Sequence, residues 1–169
     1  RGAENYRRSG EVDALRIAKD TFFVHQAIWD GWVDNEKHHT YIIGHWNYTD
    51  STIKNVYVAS TADSVELFIN NQSQGIGERN YNFLFTFKNV KWQKGTIKAV
   101  GYDQYNNILS TCEKRSTGNP VAIKLTPHIN PNGFKADGAD IAIIDVEVID
   151  SDGNRCPIAN NLINFNLTG

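Results

Sequence analysis

The sequence predicts a mainly β fold: an immunoglobulin-like antiparallel sandwich with a short N-terminal helix ahead of it and a truncated second β-sandwich module behind it. Three observations carry this. Apolar and polar residues alternate with period two along much of the chain, and turn-forming residues separate the alternating runs. Nothing helical is interposed among those runs to make the crossovers that parallel strands require.

The helix is predicted over Ala18–Trp29, a stretch without Gly or Pro that brings Phe22, Phe23, Ala27 and Ile28 onto roughly one helical side, with Asp20 as its cap. Thr21–Val24 is also β-prone, so a strand there stays open as the alternative. Beyond it, Val65, Leu67 and Ile69 alternate with Glu66, Phe68 and Asn70, and Phe83, Phe85 and Phe87 alternate with Asn82, Leu84, Thr86 and Lys88. One face of each such strand packs inward.

Asn70-Asn71 and Asp103-Gln-Tyr-Asn-Asn107 supply the turns between these strands, and Thr117-Gly-Asn-Pro120 is the best domain boundary. A fresh alternating run, Val121, Ile123 and Leu125, starts immediately after it. Ala142, Ile144, Val146 and Val148 form the next, then Asp150-Ser-Asp-Gly153 turns the chain, and Ile163, Phe165 and Leu167 form the last. Residues 119–169 amount to about half of the roughly 100 residues that an immunoglobulin-like sandwich takes, so the second module is expected to lack strands. The apolar face of Ile163, Phe165 and Leu167 must then rest on the first module, pair with another copy, or fray.

Composition narrows the function classes. With 40% hydrophobic and 21% charged residues and a net charge of -2, the chain offers no basic field for a phosphate backbone, and nucleic acid is not an expected partner. No apolar run approaches the roughly 20 residues that cross a bilayer. Arg1–Arg8 lacks the apolar stretch of a signal peptide, and the chain, starting on Arg1 with no Met anywhere, reads as an excised piece of a longer one. Cys112 and Cys156 fall in different predicted modules and are expected to stay unpaired. The three Asn-x-Ser/Thr triplets at Asn47, Asn71 and Asn166 are expected by chance in so Asn-rich a chain.

Three segments in order, Tyr41-Ile-Ile-Gly-His-Trp-Asn-Tyr48, Val65-Glu-Leu-Phe-Ile-Asn-Asn-Gln-Ser-Gln-Gly75 and Gly95-Thr-Ile-Lys-Ala-Val-Gly-Tyr-Asp103, resemble the β-sandwich that follows the catalytic barrel in bacterial, β-galactosidase-like enzymes of glycoside hydrolase family 2. His45, Trp46 and Asn47 match the structural signature of that module, with Tyr48 in place of a frequent Trp. Upstream, Gly10-Glu-Val-Asp13, Ala18-Lys-Asp20, Phe22-Phe23 and Trp29 are similar to the end of the family's (β/α)8 barrel, Ala18 standing where a Pro is usual. Downstream, Val121-Ala-Ile-Lys-Leu-Thr126, Lys135-Ala-Asp-Gly138, Val146-Glu-Val-Ile-Asp150 and Asp152-Gly-Asn154 resemble the start of its invasin-like C-terminal sandwich.

The resemblance implies three parts: 1–32 as the remnant of the barrel's end, 33–118 as an immunoglobulin-like sandwich, and 119–169 as the opening of a second sandwich. It implies a scaffold whose partner is the catalytic barrel of the parent chain, meeting oligo- or polysaccharide only through that parent, with no cofactor and no membrane insertion. A periplasmic or extracellular bacterial setting is implied for the parent. A stand-alone carbohydrate- or protein-binding module is the alternative.

Retaining glycosidases need two carboxylates about 5 Å apart, one as nucleophile and one as acid/base. Asn35-Glu36 mimics the family's acid/base pair but sits in a polar connection with no barrel strand to hold it, so no catalytic residue is expected in this chain. His38, His39 and His45 lack a carboxylate or Cys at ligand spacing, and no metal site is expected. Asp150-Ser-Asp-Gly-Asn154 opens like a calcium loop, yet the twelfth loop position is Asn161 rather than Glu, so a hairpin turn is the reading. Gly75-Ile-Gly77 has no helix after it and is no nucleotide loop. Most of the aromatic residues are expected in the core or at domain interfaces; if any touch saccharide, Trp29 and Trp32 are the candidates.

Overall fold

The computed structural model describes residues 10–13, 17–34, 36–135 and 137–168. Arg1–Arg8, Asn35 and Ala136, on which parts of the sequence reading fall, lie outside them. The chain forms two compact units, Arg1–Ser116 and Thr117–Gly169.

The first unit opens with helix α1, Asp20–Val33. A stripe of every fourth residue faces the sandwich: Phe23 stacks on Tyr41 with ring centroids 5.3 Å apart, Ala27 is buried, and Gly31 follows. Gly31 is there because nothing larger fits; a Cβ would lie 2.5 Å from Thr61 Oγ1. The four residues expected on one side are therefore divided, with Phe23 and Ala27 inward and Phe22 and Ile28 on the outer groove. Asp20 is not the cap. Lys19 holds the N-cap position without a side-chain bond, and the Asp20 carboxylate is committed elsewhere, accepting from Tyr41 Oη–H at 2.5 Å and Gly44 N–H at 2.9 Å.

Eight strands follow: β1 (Thr40–Ile42), β2 (Ile53–Ser60), β3 (Ser64–Ile69), β4 (Gln72–Ile76), β5 (Glu78–Asn80), β6 (Leu84–Lys91), β7 (Thr96–Tyr102) and β8 (Ile108–Arg115). They form two antiparallel sheets, ordered β1-β2-β6-β5 and β4-β3-β7-β8. Lettered in chain order, those are the A-B-E-D and C′-C-F-G sheets of an immunoglobulin-type sandwich. Asn70 and Asn71, at φ 49° and 65°, make the two-residue turn between β3 and β4 that the right-handed twist of the strands favours. Gly77 then carries the chain from one sheet to the other, passing so close to Phe87 that a Cβ would meet its ring at 2.7 Å.

The period-two residues converge between the sheets. Val58, Val65, Leu67 and Ile97 have no exposed surface, and Phe85 is 1% exposed. Each such side chain contributes roughly 1.5–3 kcal/mol by leaving water. Trp46, outside any strand, closes one end of this core: its indole N–H donates to the Gln93 carbonyl at 3.1 Å, and its own carbonyl accepts from Trp92 Nε1 at 3.1 Å.

The second unit is built on one antiparallel pair, β9 (Ala122–His128) and β10 (Ile143–Ile149). The last expected strand is absent. Residues 160–168 keep the alternation of Ile163, Phe165 and Leu167 but hydrogen-bond to no strand, and Phe165 and Leu167 are 74% and 100% exposed. An alternating run becomes a strand only where a neighbour offers a ladder. Beyond the turn at 151–153 the chain returns to β10 through the Ile149–Arg155 bridge, the bond from Cys156 N–H to Val148 O at 2.8 Å and the approach of Arg155 Nε to Glu147 Oε1 at 4.0 Å.

Asp150 staples this unit together. Its Oδ1 accepts the amides of Asp152 (3.0 Å) and Asn154 (2.8 Å), and its Oδ2 accepts the amide of Gly118 (2.9 Å). These three N–H groups bind the carboxylate as an Asx-type turn does, and the segment is a turn, with Gly153 at φ 79°. The Gly118 amide first, and the Asn154 amide and side chain and the Asp152 amide after it, hold Asp150 below the usual carboxylate range. A depressed folded value means that the bonds stabilise the unit above the unfolded pKa of about 3.9 and lose that effect as pH falls through the folded value. Hydrogen-exchange protection at Gly118 and Asn154 should hold from neutral pH down to about pH 5 and then fall below about pH 4. Asp150→Asn should lower that protection at all pH; unchanged protection in acid would show that the staple is unimportant.

Candidate functional site

The outer stripe of α1 carries the site. Phe22, His25, Gln26, Trp29 and Trp32 recur at helical spacing on the side away from Ala27 and Gly31, and with Glu11 they line a groove of about 590 Å³. Trp29 is 60% exposed and Trp32 is 70% exposed, far more than an indole in a folded core. Their rings meet edge to face, centroids 5.9 Å apart and planes at 88°, so the two faces do not make one flat platform.

Polar groups sit around this apolar surface. His25 Nδ1 pairs with Glu11 Oε1 at 2.5 Å, and Asp30 Oδ2 pairs with His39 Nε2 at 3.1 Å. His38 instead approaches Thr61 Oγ1 at 3.5 Å, so the two adjacent histidines go to different partners. Among the described residues no three His, Cys, Asp or Glu side chains converge as a metal site would. Glu36 lies in an exposed turn, its amide donating to Asp34 Oδ1 at 3.2 Å. Cys112 and Cys156 are both free thiols.

A polar clasp holds the helix in place. Tyr41 and Gly44 donate to Asp20, while Lys114 Nζ donates to the Gly44 carbonyl at 2.6 Å and stands 4.4 Å from the centre of the Tyr41 ring. Burial, then the bond to Asp20 and its charge, push the Tyr41 phenol well above its ordinary range, and burial pulls Lys114 down. Tyr41 therefore stays a neutral donor at physiological pH. The three signature residues lie near this clasp. Trp46 and Asn47 are buried, and His45 Nδ1 accepts the Asn47 amide at 3.1 Å.

Trp29 and Trp32, the candidates the sequence offers, share the groove with Phe22 and Ile28, which the sequence places only on an apolar helix side, and with the His25–Glu11 pair, which it does not single out. Their spacing is readable; which stripe faces the sandwich is not, because that depends on the Gly31–Thr61 approach.

Fold and site together define an immunoglobulin-like β-sandwich module that carries a helix with an uncovered aromatic face. Two family models match the chain: DUF4982, a domain of unknown function, over residues 51–109, and glycoside hydrolase family 2 C-terminal domain 5 over residues 123–169. The chain belongs to the C-terminal β-sandwich region of glycoside hydrolase family 2. A beta-glucuronidase of Formosa agariphila is 42% identical over 96% of this chain and 16% of its own length. The beta-galactosidase BoGH2A of Bacteroides ovatus is 33% identical over 95% of this chain and 18% of its own. Among solved structures, a beta-glucuronidase from glycoside hydrolase family 2 superposes with TM-score 0.82 at 43% identity, covering 90% of this chain and 16% of that one. A beta-glycosidase from Bacteroides vulgatus gives TM-score 0.71 at 27% identity, covering 90% and 19%. The chain thus spans 16–18% of the length of the curated relatives named here.

Proposed function

We propose that this chain is a non-catalytic scaffold of a family 2 glycosidase, in which the outer face of α1 seats on the catalytic barrel and the sandwich fixes that helix from behind. The observation that carries it is the pair of indoles, 60% and 70% exposed, on a helix whose opposite stripe is locked by Gly31 and the Asp20 clasp. A large apolar face displayed on a rigid support is what an interdomain contact needs. The parent would hydrolyse an O-glycosidic bond on carboxylates that this chain does not supply, acting on oligo- or polysaccharide in the periplasm or outside the cell. The relatives named divide between glucuronidase and galactosidase, so the proposal stops at the bond type and leaves the sugar open.

The test has two arms. The purified chain should release no chromophore from aryl β-glucuronides or aryl β-galactosides above the buffer blank; turnover abolished by Glu36→Gln would overturn the scaffold reading. In the full-length parent, Trp29→Glu with Trp32→Glu should lower the melting temperature and the hydrolysis rate together. The same pair in the isolated chain should leave unfolding unchanged, because the rings are already in water.

The adjoining groove favours one second reading, a saccharide subsite in which Trp29 or Trp32 stacks on a pyranose. It predicts saturable oligosaccharide binding by the isolated chain, lost in Trp29→Ala or Trp32→Ala. Under the scaffold reading no such binding is expected.

A further inference from the structure

The end of the sandwich that Trp46 closes holds two lysines directed inward instead of out to solvent. Lys54 pairs with Val90 across β2 and β6, and Lys114 pairs with Ile97 across β7 and β8. Directly paired residues of an antiparallel ladder share a face. Val90 and Ile97 are buried, so both lysines are directed to the core side of their sheets. An irregularity in the β2–β6 register, where the Asn89 amide bonds Asn55 Oδ1 at 3.1 Å, lies beside Lys54.

Neither ammonium has a carboxylate within salt-bridge reach among the described residues. Lys54 Nζ donates to Tyr48 Oη at 2.5 Å and stands 4.2 Å from the ring centre, which leaves the Tyr48 hydroxyl hydrogen to be given outward. His45 stacks on Tyr48 at 4.6 Å and accepts the Asn47 amide on Nδ1, so its proton is on Nε2. Among the described residues, Lys54, Tyr48 and His45 therefore form a cluster of hydrogen-bond donors with no acceptor of their own outside it. Asp20, a carboxylate that acts on His45, already accepts from Tyr41 and Gly44.

We propose that Lys54, Tyr48 and His45 form a receptor for one side-chain carboxylate, an Asp or Glu presented by a protein surface that packs on this end of the sandwich. Inward-pointing lysines at strand edges can serve merely to discourage edge pairing. That role does not call for two of them to act on one imidazole. Burial first, then Lys54 and Lys114, hold His45 below its ordinary value. The Lys54 ammonium, the Tyr48 hydroxyl and the His45 ring, grouped with no carboxylate bonded to them among the described residues, are complementary to an anion. A protein carboxylate fits better than an acidic sugar because His45 covers one face of Tyr48 and Trp46 meets the ring edge-on at 6.2 Å, leaving a hydroxyl rather than a stacking platform. The inference concerns this site alone and goes beyond the scaffold reading, since it holds whichever protein supplies the acid.

The test is a titration of the whole chain followed by NMR at the Asn47 amide and the His45 ring, with N-acetyl-glutamate α-methylamide as the probe. Saturable shifts are expected with an affinity on the order of 10 mM, as befits an ion pair reinforced by a charge-assisted hydrogen bond. The neutral N-acetyl-glutamine α-methylamide should give none. Lys54→Met and Tyr48→Phe should each weaken the response at least about fivefold, Lys54→Arg should keep it, and bound carboxylate should raise the His45 pKa. No saturable shift, or an equal response to sodium chloride, would overturn the site. Binding of D-glucuronate about tenfold tighter than the glutamate probe would overturn the protein source in favour of an acidic sugar.

Discussion

Replacing Trp46 by Ala should cost the first unit about 3–5 kcal/mol, the range for emptying a buried aromatic site. Trp46 is 3% exposed, and it closes the end of the sandwich from the segment between β1 and β2, outside any strand. Its side chain also anchors the backbone that carries His45 and Asn47, through the bond to Gln93, and its carbonyl receives the Trp92 indole. Domains of this size are stable by only about 5–15 kcal/mol, so the variant should sit near the edge of folding. Urea unfolding should show a much lower midpoint with an unchanged slope. Trp92→Phe separates the two contributions. It keeps most of the buried ring, leaves the Trp46 carbonyl without its donor, and should cost about 1–2 kcal/mol. A Trp46→Ala loss under about 1 kcal/mol would mean that the end of the sandwich is closed by something else.

The second large effect is at Gly31, where two terms oppose each other. In an exposed helix interior, Gly→Ala stabilises by roughly 0.8–1.0 kcal/mol through helix propensity alone. Here the added Cβ would lie 2.5 Å from Thr61 Oγ1 and 2.9 Å from Thr61 Cβ, and the nearer the contact is to the backbone the less it can give. Overpacking of that kind costs typically 1–3 kcal/mol, so Gly31→Ala should be net destabilising, and Gly31→Val more so. The readout is specific: the Phe23–Tyr41 stack and the Asp20 clasp should loosen, seen as faster exchange at the Gly44 amide. Thr61→Ala should recover part of the loss in the double variant, a coupling that a purely intrinsic helix effect would not give. If Gly31→Ala stabilises the chain, the helix is not held by this approach.

Val65, Leu67 and Ile69 were legible as an inward face because a strand fixes side-chain direction residue by residue, and the structure buries all three. Asn70-Asn71 was legible as a turn because few residues other than Asn and Gly accept consecutive positive φ. The helix existed where its composition suggested, but Asp20 was misjudged. An acidic residue near a helix start suits both a cap and a tertiary acceptor, and only the positions of Tyr41 and Gly44 choose between them. Ile163, Phe165 and Leu167 alternate as a strand does and form none, since alternation describes a face and not a partner.

The order of motifs carries the resemblance to the family, and the similarity to family 2 C-terminal regions agrees with it. The identity of the sugar did not follow, because specificity resides in the residues that touch substrate and not in the scaffold fold.

What the sequence by itself determined is local and periodic: which residues alternate, where the chain turns, which stretch is helical, and which ordered motifs it shares with relatives. Those properties depend on neighbours within a few positions, so a linear string contains them. Only the tertiary structure decided that Gly31 must be small, that Trp29 and Trp32 face outward, that Asp150 accepts the amides of Gly118 and Asn154, and that Lys54 and Lys114 are directed inward near one imidazole. Each of these rests on an approach between residues distant in sequence, whose distances are set when the helix and sheets pack.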